Sequence, residues 1–280
     1  MNKNTFTYII YTGDFLRSKK GKRFAEMHST KKKKNKLIYN IIIIICIIVI
    51  LFSAYNITHW LIENNNNNSL ISDIQSDTNI TEEIIMINNE PITKNHYDFS
   101  ELLNKNSQTV GWISVPNTNI NYPVVQNTDN DYYLNHSFNK SSNSAGWIFA
   151  DYTCDCINSK NVILYGHNRK DKSMFGSLKN VLDDDWRANS SNLYINFSNL
   201  NESHVYKIFS VFVCNDTNVD SYLKINFKTD AELKNYVQKL KNVSSYKFDT
   251  DVENPQKIIT LYTCHGLNNQ RLIVCATMVS

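Results

Sequence analysis

Residues 257–279 read KIITLYTCHGLNNQRLIVCATMV, two apolar runs rich in β-branched residues on either side of one polar turn. The pattern predicts a β-hairpin, strand Lys257–Cys264 followed by strand Arg271–Val279. A period of two puts Ile258, Thr260, Tyr262 and Cys264 on one face of the first strand. Toward the N-terminus similar short runs recur between polar turns: Val110–Val115, Asn119–Val125, Gly146–Asp151, Asn161–Gly166, Asn192–Phe197 and His204–Cys214. Eight short strands over residues 95–280 predict a mostly β domain, a barrel or a sandwich. Helices are few and peripheral. In 230–241, DAELKNYVQKLK, Leu233, Tyr236, Val237 and Leu240 recur at helical spacing behind an Asp230 cap. Met174, Leu178, Val181 and Leu182 do the same behind Ser173, and DFSELLNK at 98–105 predicts a short opening helix.

The composition, 42% hydrophobic with only 7 Gly and 4 Pro among 280 residues, excludes a collagen-like or Pro/Gly-disordered chain. Charge is divided unevenly. Of 29 Lys and Arg, 11 lie in residues 1–36 against two acids, so the remainder is acidic, with 18 basic and 24 acidic residues. That balance argues against nucleic acid as a partner.

Residues 37–54, LIYNIIIIICIIVILFSA, carry no charge and make about 27 Å of helix, close to the ~30 Å hydrocarbon core. Continued to 58, the stretch predicts one N-terminal transmembrane helix. Lys31–Lys34 and Lys36 precede it and no Lys or Arg follows until Lys94, so residues 1–36 are expected as a basic cytoplasmic segment and the rest outside. The run is too long for a signal peptide, and Ser53-Ala54-Tyr55 is a poor cleavage site. Residues 59–94, acidic and Asn-rich, read as a solvated stalk ahead of a domain at 95–280.

Six cysteines are present. Cys46 lies in the apolar span. Outside a cell disulfides are permitted, and the other five, an odd number, leave at least one thiol unpaired. Cys154 and Cys156 form a surface-turn pair with awkward spacing for a mutual disulfide, and Cys214 and Cys275 read as core thiols. Cys264 ends its strand at a polar turn, where a substrate can reach it, and Arg271 opens the return strand as a permanently charged, forked donor. A thiolate nucleophile needs such a cation, an oxyanion donor and a proton donor for the leaving group. Three histidines compete for that last role. His265 adjoins Cys264 but points to the opposite face of the strand, and His136 lies in a loop-like segment. His167 ends the strand NVILYGH at a polar loop, and the residues alone leave open whether it is structural or an acid–base group.

NVILYGHNRKDKSMFGSL, with ITLYTC and a following Arg, resembles the sortases, specifically class B, and INYPVVQNTDNDYYLNHSFN and SAGWIFADY resemble the segments preceding the histidine strand in that class. The resemblance covers about residues 95–280. It implies an eight-stranded sortase-type β-barrel with peripheral helices and a membrane-anchored cysteine transpeptidase, with Cys264 as nucleophile, His167 as general acid and base and Arg271 as oxyanion-side donor. It implies as partners secreted proteins with a C-terminal sorting signal, NPQTN-like or PxTG-like and cleaved after Thr, and a peptidoglycan-precursor amine of a Gram-positive envelope. It requires no metal or organic cofactor. Two departures stand out: only six residues separate Cys264 from Arg271, and Tyr262 occupies a position where Ser is frequent. The alternatives are a pilin-polymerising enzyme with a Lys acceptor, a simple secreted cysteine protease, and a metal-binding module built on Cys154, Cys156 and His265. The papain-like order of Cys before His, reversed here, opposes the protease, and a lone C-x-C is a weak zinc signal.

Overall fold

The computed structural model describes the backbone of residues 4–265 and 269–280, and the side chains from 19 onward except 25, 29–30, 32–35 and 265–268. The chain divides into two units, Met1–Ile62 and Glu63–Ser280. The first is the body of a long helix, α1 (Asn4–Asp77). From Lys36 onward α1 is long and apolar enough to cross a membrane, and every side chain from Ile41 to Phe52 is exposed.

In the second unit the expected stalk is replaced by ordered structure. The last turns of α1 bury Ile74 at 1% exposure and pack Leu70 and Ile71 on the core, while Gln75 Nε2 donates to the Asn121 carbonyl at 2.7 Å. Strands β1 (Ile80–Ile87) and β2 (Glu90–Tyr97) then form an antiparallel hairpin. Its two-residue turn is Asn88-Asn89, both left-handed with φ of 53° and 65°, which suits the right-handed twist of a tight hairpin. One face of the ribbon is buried, with Ile85, Ile87 and Ile92 gathered on Tyr194 and Val205, while Ile80, Ile84 and Met86 on the other face are exposed. The Asn196 amide clips it down, accepting from the Asn95 N–H at 3.1 Å and donating to the Thr93 carbonyl at 3.1 Å. Part of the segment expected as a solvated stalk, residues 70–94, is thus folded, with Ile74 and Ile92 buried and the hairpin hydrogen-bonded, although residues 79–84 stay exposed.

After α2 (Ser100–Lys105) come the barrel strands, with the short helix α3 (Asp184–Ala188) between the fourth and fifth: β3 (Thr109–Ser114), β4 (Asn121–Val125), β5 (Phe149–Ala150), β6 (Asn161–Tyr165), β7 (Tyr194–Asn199), β8 (Ser203–Asn215), β9 (Ile258–His265) and β10 (Gln270–Met278). They close in the order β10-β8-β7-β3-β4-β5-β6-β9. Pairing is antiparallel except at two parallel seams, β4–β5 and β6–β9. All eight expected strands are present, and the fold is an eight-stranded barrel with peripheral helices. The run expected at 146–151 is reduced to the two residues Phe149–Ala150, and Gly146 at its start is left-handed at φ +59°.

Strand alternation sorts side chains to the two sides of the wall. Ile259 and Leu261 of β9 join Val124, Leu164 and Val274 inside, with Ile113 and Phe197. Ile258 and Tyr262 point outward with Ile273, Cys275 and Phe212. That outer patch is covered by α4 (Asp230–Asn242), whose Leu233, Tyr236, Val237 and Leu240 are the buried face that the spacing predicts. Each such burial contributes about 1.5–3 kcal/mol. The cap is Thr229 rather than Asp230, its hydroxyl accepting from the Glu232 N–H at 3.2 Å.

The helix expected behind Ser173 does not form as such. Met174 takes a left-handed φ of 51°, and the Asp171 carboxylate accepts from the Ser173 N–H, which makes a turn. Helical hydrogen bonding begins only at a 3₁₀ segment, Leu178–Leu182. Met174, Leu178 and Val181 are nevertheless buried.

Candidate active site

Cys264 and Arg271 are direct partners across the β9–β10 hairpin. Cross-strand partners project to the same side of a sheet, so both lie on the outer face of the barrel. On the other flank of β9, the parallel pairing with β6 runs without slippage from Asn161↔Ile258 to Tyr165↔Tyr262. The ladder continues past its last pair, with the Gly166 N–H donating to the Tyr262 carbonyl at 3.3 Å and the Thr263 hydroxyl to the Gly166 carbonyl at 2.7 Å. Two residues further along that register, His167 stands opposite Cys264. The three candidates thus sit on three adjacent strand ends, and all line one cavity of about 520 Å³. That is the size range of a small-ligand cleft.

His167 is half-buried, and its Nε2 lies 2.8 Å from the Leu134 carbonyl. A carbonyl only accepts, so Nε2 carries the proton in that bond and Nδ1 has no protein partner among the described residues. The loop after His167 folds back on it, the Phe175 N–H donating to the His167 carbonyl at 3.0 Å. Arg271 Nε donates to the Tyr262 hydroxyl at 2.7 Å, Nη1 to the Gln270 carbonyl at 3.1 Å, and Nη2 pairs with Asp216 Oδ1 at 3.0 Å. Burial opposes the charge on Arg271, but Tyr262, Cys264 and Asp216 together hold its pKa above the ordinary value.

The walls combine apolar and polar groups. Phe149, Tyr165 and Tyr262 form one side, with Tyr165 and Tyr262 edge-on at 5.1 Å, and Val219 and Leu223 close the other. Burial raises both phenol pKa values, so each keeps its proton near neutrality. The Tyr165 hydroxyl donates to Asp151 Oδ2 at 2.8 Å, and Asn130 Nδ2, from the rim, to the same oxygen at 2.9 Å. Burial pushes the Asp151 carboxyl up, yet hydrogen bonds from Thr153, Tyr165 and Asn130 outweigh it and leave it below the ordinary carboxylate range.

The other cysteines of the barrel unit are placed differently from Cys264, which is exposed. Cys154 and Cys156, expected on a surface turn, are buried at 5% and 6% exposure, and burial pushes both thiols up to about 12. The Cys154 sulfur accepts from the Ile163 N–H at 3.4 Å, which draws this turn against the wall. Cys275 is buried as expected, and burial pushes it up to about 12, while Cys214 is half-buried. All six are free thiols. Among the described residues no three of His, Cys, Asp and Glu gather as a metal site. The His265 side chain and the turn at 266–268 lie outside the described residues.

Sequence reasoning missed Asp216, Asn130 and the Leu134 carbonyl. Asp216 lies in an otherwise polar loop, and a backbone acceptor leaves no trace in side-chain identity. Tyr262 was visible only as an unusual residue near the cysteine.

Comparison with known proteins agrees with this architecture. A family profile described as Sortase domain matches residues 113–279. The chain is 32% identical over 215 residues to sortase B of Listeria monocytogenes, covering 76% of this chain and 84% of the relative. The crystal structure of sortase B from B. anthracis superposes with a TM-score of 0.65 at 32% identity, covering 79% of this chain and 99% of that one. A Staphylococcus aureus sortase B–substrate complex superposes with a TM-score of 0.59 at 29% identity, covering 65% and 84%.

Proposed function

We propose a specific reaction for this protein from one premise: the chain belongs to the sortase family, class B, and is a cysteine transpeptidase. In the proposed reaction Cys264 is the nucleophile, His167 the general acid and base, and Arg271 the oxyanion-side donor. The Cys264 thiolate attacks the carbonyl carbon of the Thr in a sorting motif, NPQTN-like or PxTG-like, near the C-terminus of a secreted protein. The carbonyl oxygen takes up negative charge, which the Arg271 guanidinium stabilises. As the C–N bond breaks, His167 gives a proton to the departing amine and a thioacyl-enzyme remains. An amine of a peptidoglycan precursor then attacks the thioester, His167 takes its proton, and the thiolate leaves. Because Nε2 is held by the Leu134 carbonyl, Nδ1 is the nitrogen that exchanges the proton. The apolar segment of α1 is the proposed anchor, with the N-terminus cytoplasmic and the barrel outside a Gram-positive cell.

The observation carrying this reading is the register: Arg271 faces Cys264 across one strand pair, and the β6–β9 ladder leads His167 to its other side. The test is the full-length chain in detergent with quenched-fluorescent peptides bearing NPQTN, SPKTG or LPxTG motifs, followed by intact-mass spectrometry. We expect one motif to be preferred and a thioacyl adduct on Cys264 that is absent in Cys264→Ala. Cleavage that survives in Cys264→Ala overturns the assignment. Cleavage without amine-dependent ligation would indicate a protease instead.

A further inference from the structure

All three nitrogens of the Arg271 guanidinium are engaged by the protein. Nε–H is taken by the Tyr262 hydroxyl at 2.7 Å, Nη1 by the Gln270 carbonyl at 3.1 Å and Nη2 by the Asp216 carboxylate at 3.0 Å. A guanidinium has five N–H donors, so the second N–H of each Nη is left without a protein partner among the described residues. The clamp comes from three parts of the chain. Gln270 is its strand neighbour, and Tyr262 is two residues before Cys264 on the same face of β9. Asp216 begins the 3₁₀ segment that follows β8, and its own N–H donates to the Asn269 carbonyl at 2.8 Å, tying that segment to the β10 end.

Tyr262 is itself fixed. Its ring stands edge-on to Tyr165 at 5.1 Å, and Tyr165 is anchored through its hydroxyl to Asp151 at 2.8 Å. One connected line, Asp151–Tyr165–Tyr262–Arg271–Asp216, therefore runs along the cavity wall and ends on both sides in a carboxylate. A long arginine side chain left free would have to be ordered anew at each turnover. A donor preorganised toward the developing charge avoids that cost. A serine in place of Tyr262 has no reach to a guanidinium rooted in the opposing strand, which gives this departure from the usual residue a physical purpose.

We propose that Asp216 and Tyr262 are positioning residues that lock the Arg271 guanidinium so that its two uncommitted N–H groups are presented to the carbonyl attacked by Cys264. The inference rests on the role proposed above for Arg271. Neither residue exchanges a proton with substrate. Both act through the guanidinium.

The experiment measures single-turnover acylation of full-length protein in detergent by intact mass, with the preferred peptide. The variants are Asp216→Ala, Asp216→Asn, Asp216→Glu, Tyr262→Phe, Arg271→Ala and the double variant Asp216→Ala/Arg271→Ala. Loss of the clamp is expected to slow acylation about 10- to 100-fold in Asp216→Ala, as misplacement of a catalytic group does. KM should stay within about three-fold, the signature of an interaction used in the transition state. Asp216→Glu should restore most of the rate. In the Arg271→Ala background the Asp216 change should cost less than about two-fold, because its means of action is already gone. Protection of the buried Cys154, Cys156 and Cys275 from iodoacetamide, which needs the packed barrel and no oxyanion donor, should be kept in every variant and so certifies that each is folded. Asp216→Asn, equal in shape, replaces the alanine variant if that one fails the check. Unimpaired acylation in both Asp216→Ala and Asp216→Asn would overturn the proposal. So would an equal loss with and without Arg271. Wild-type acylation by Arg271→Ala alone would instead refute the role of Arg271.

Discussion

Gly146 leaves no room for a side chain beneath His167: a Cβ there would stand 3.0 Å from the imidazole Cδ2, 2.7 Å from the Leu134 oxygen and 2.6 Å from the Tyr133 oxygen. The same glycine sits at φ +59°, a conformation costing an L side chain roughly 1–2 kcal/mol. Gly146→Ala should therefore move the Leu134 carbonyl away from His167 Nε2 and release the ring. We expect a stability loss of at least about 1 kcal/mol in urea melts. Single-turnover acylation should slow by roughly 10-fold or more.

The thiols should separate by reactivity. Burial holds the Cys154, Cys156 and Cys275 thiols protonated near pH 8, whereas Cys264 is exposed beside a guanidinium. Limiting iodoacetamide followed by peptide mapping of the folded protein should find Cys264 labelled ahead of every other cysteine beyond the apolar span. Cys154, Cys156 and Cys275 should react only after denaturation. Labelling of Cys154 at a comparable rate would show that its turn opens readily.

Asp151 gives an acid-sensitive contribution to stability. Its pKa is lower folded than unfolded, so the folded state binds the proton more weakly. The contribution is present above the ordinary value of 3.8 and is lost as pH falls through the lowered folded value. Thermal melts of wild type and Asp151→Asn should therefore differ near neutral pH and converge below about pH 4. A gap that persists unchanged at pH 3 would mean that the carboxylate charge is not what holds Asn130, Thr153 and Tyr165.

Removing residues 63–94 should weaken the barrel. Ile74 and Ile92 are buried at 1% and 5% exposure, and each is worth about 1.5–3 kcal/mol. A fragment 63–280 should exceed 95–280 by about 3 kcal/mol or more in urea unfolding. Equal stability would show that the β1–β2 hairpin is only draped on the surface.

Much of the barrel is legible in residue order because its strands follow simple alternation between short turns. The β9–β10 hairpin and the buried face of α4 follow from periodicity alone, and the hairpin brings Arg271 opposite Cys264 in advance of any structure. The approach of His167 needs more, since the parallel β6–β9 pairing joins segments nearly a hundred residues apart and no local pattern announces it. The β1–β2 hairpin escapes notice because its Asn88-Asn89 turn hides in an Asn-rich stretch and Ile falls on both faces of β1, so no clean alternation marks the strand. The turn at Ser173–Met174 hides for another reason: helical spacing of apolar residues is preserved while one left-handed residue breaks the helix. The arginine clamp was illegible because Asp216 acquires its meaning only when the segment after β8 folds back over β10.

The parallel β6–β9 seam also sets when the site comes into being. Antiparallel hairpins such as β9–β10 form between chain neighbours, whereas this seam joins Tyr165 to Tyr262 across a long intervening loop, and closing such a loop is entropically slow. In a chain with the hairpin formed and the seam still open, Cys264 already faces Arg271 but has no histidine beside it. On the reaction proposed above, proton transfer through His167 requires this seam to be closed, so the onset of acylation during refolding should report the β6–β9 pairing.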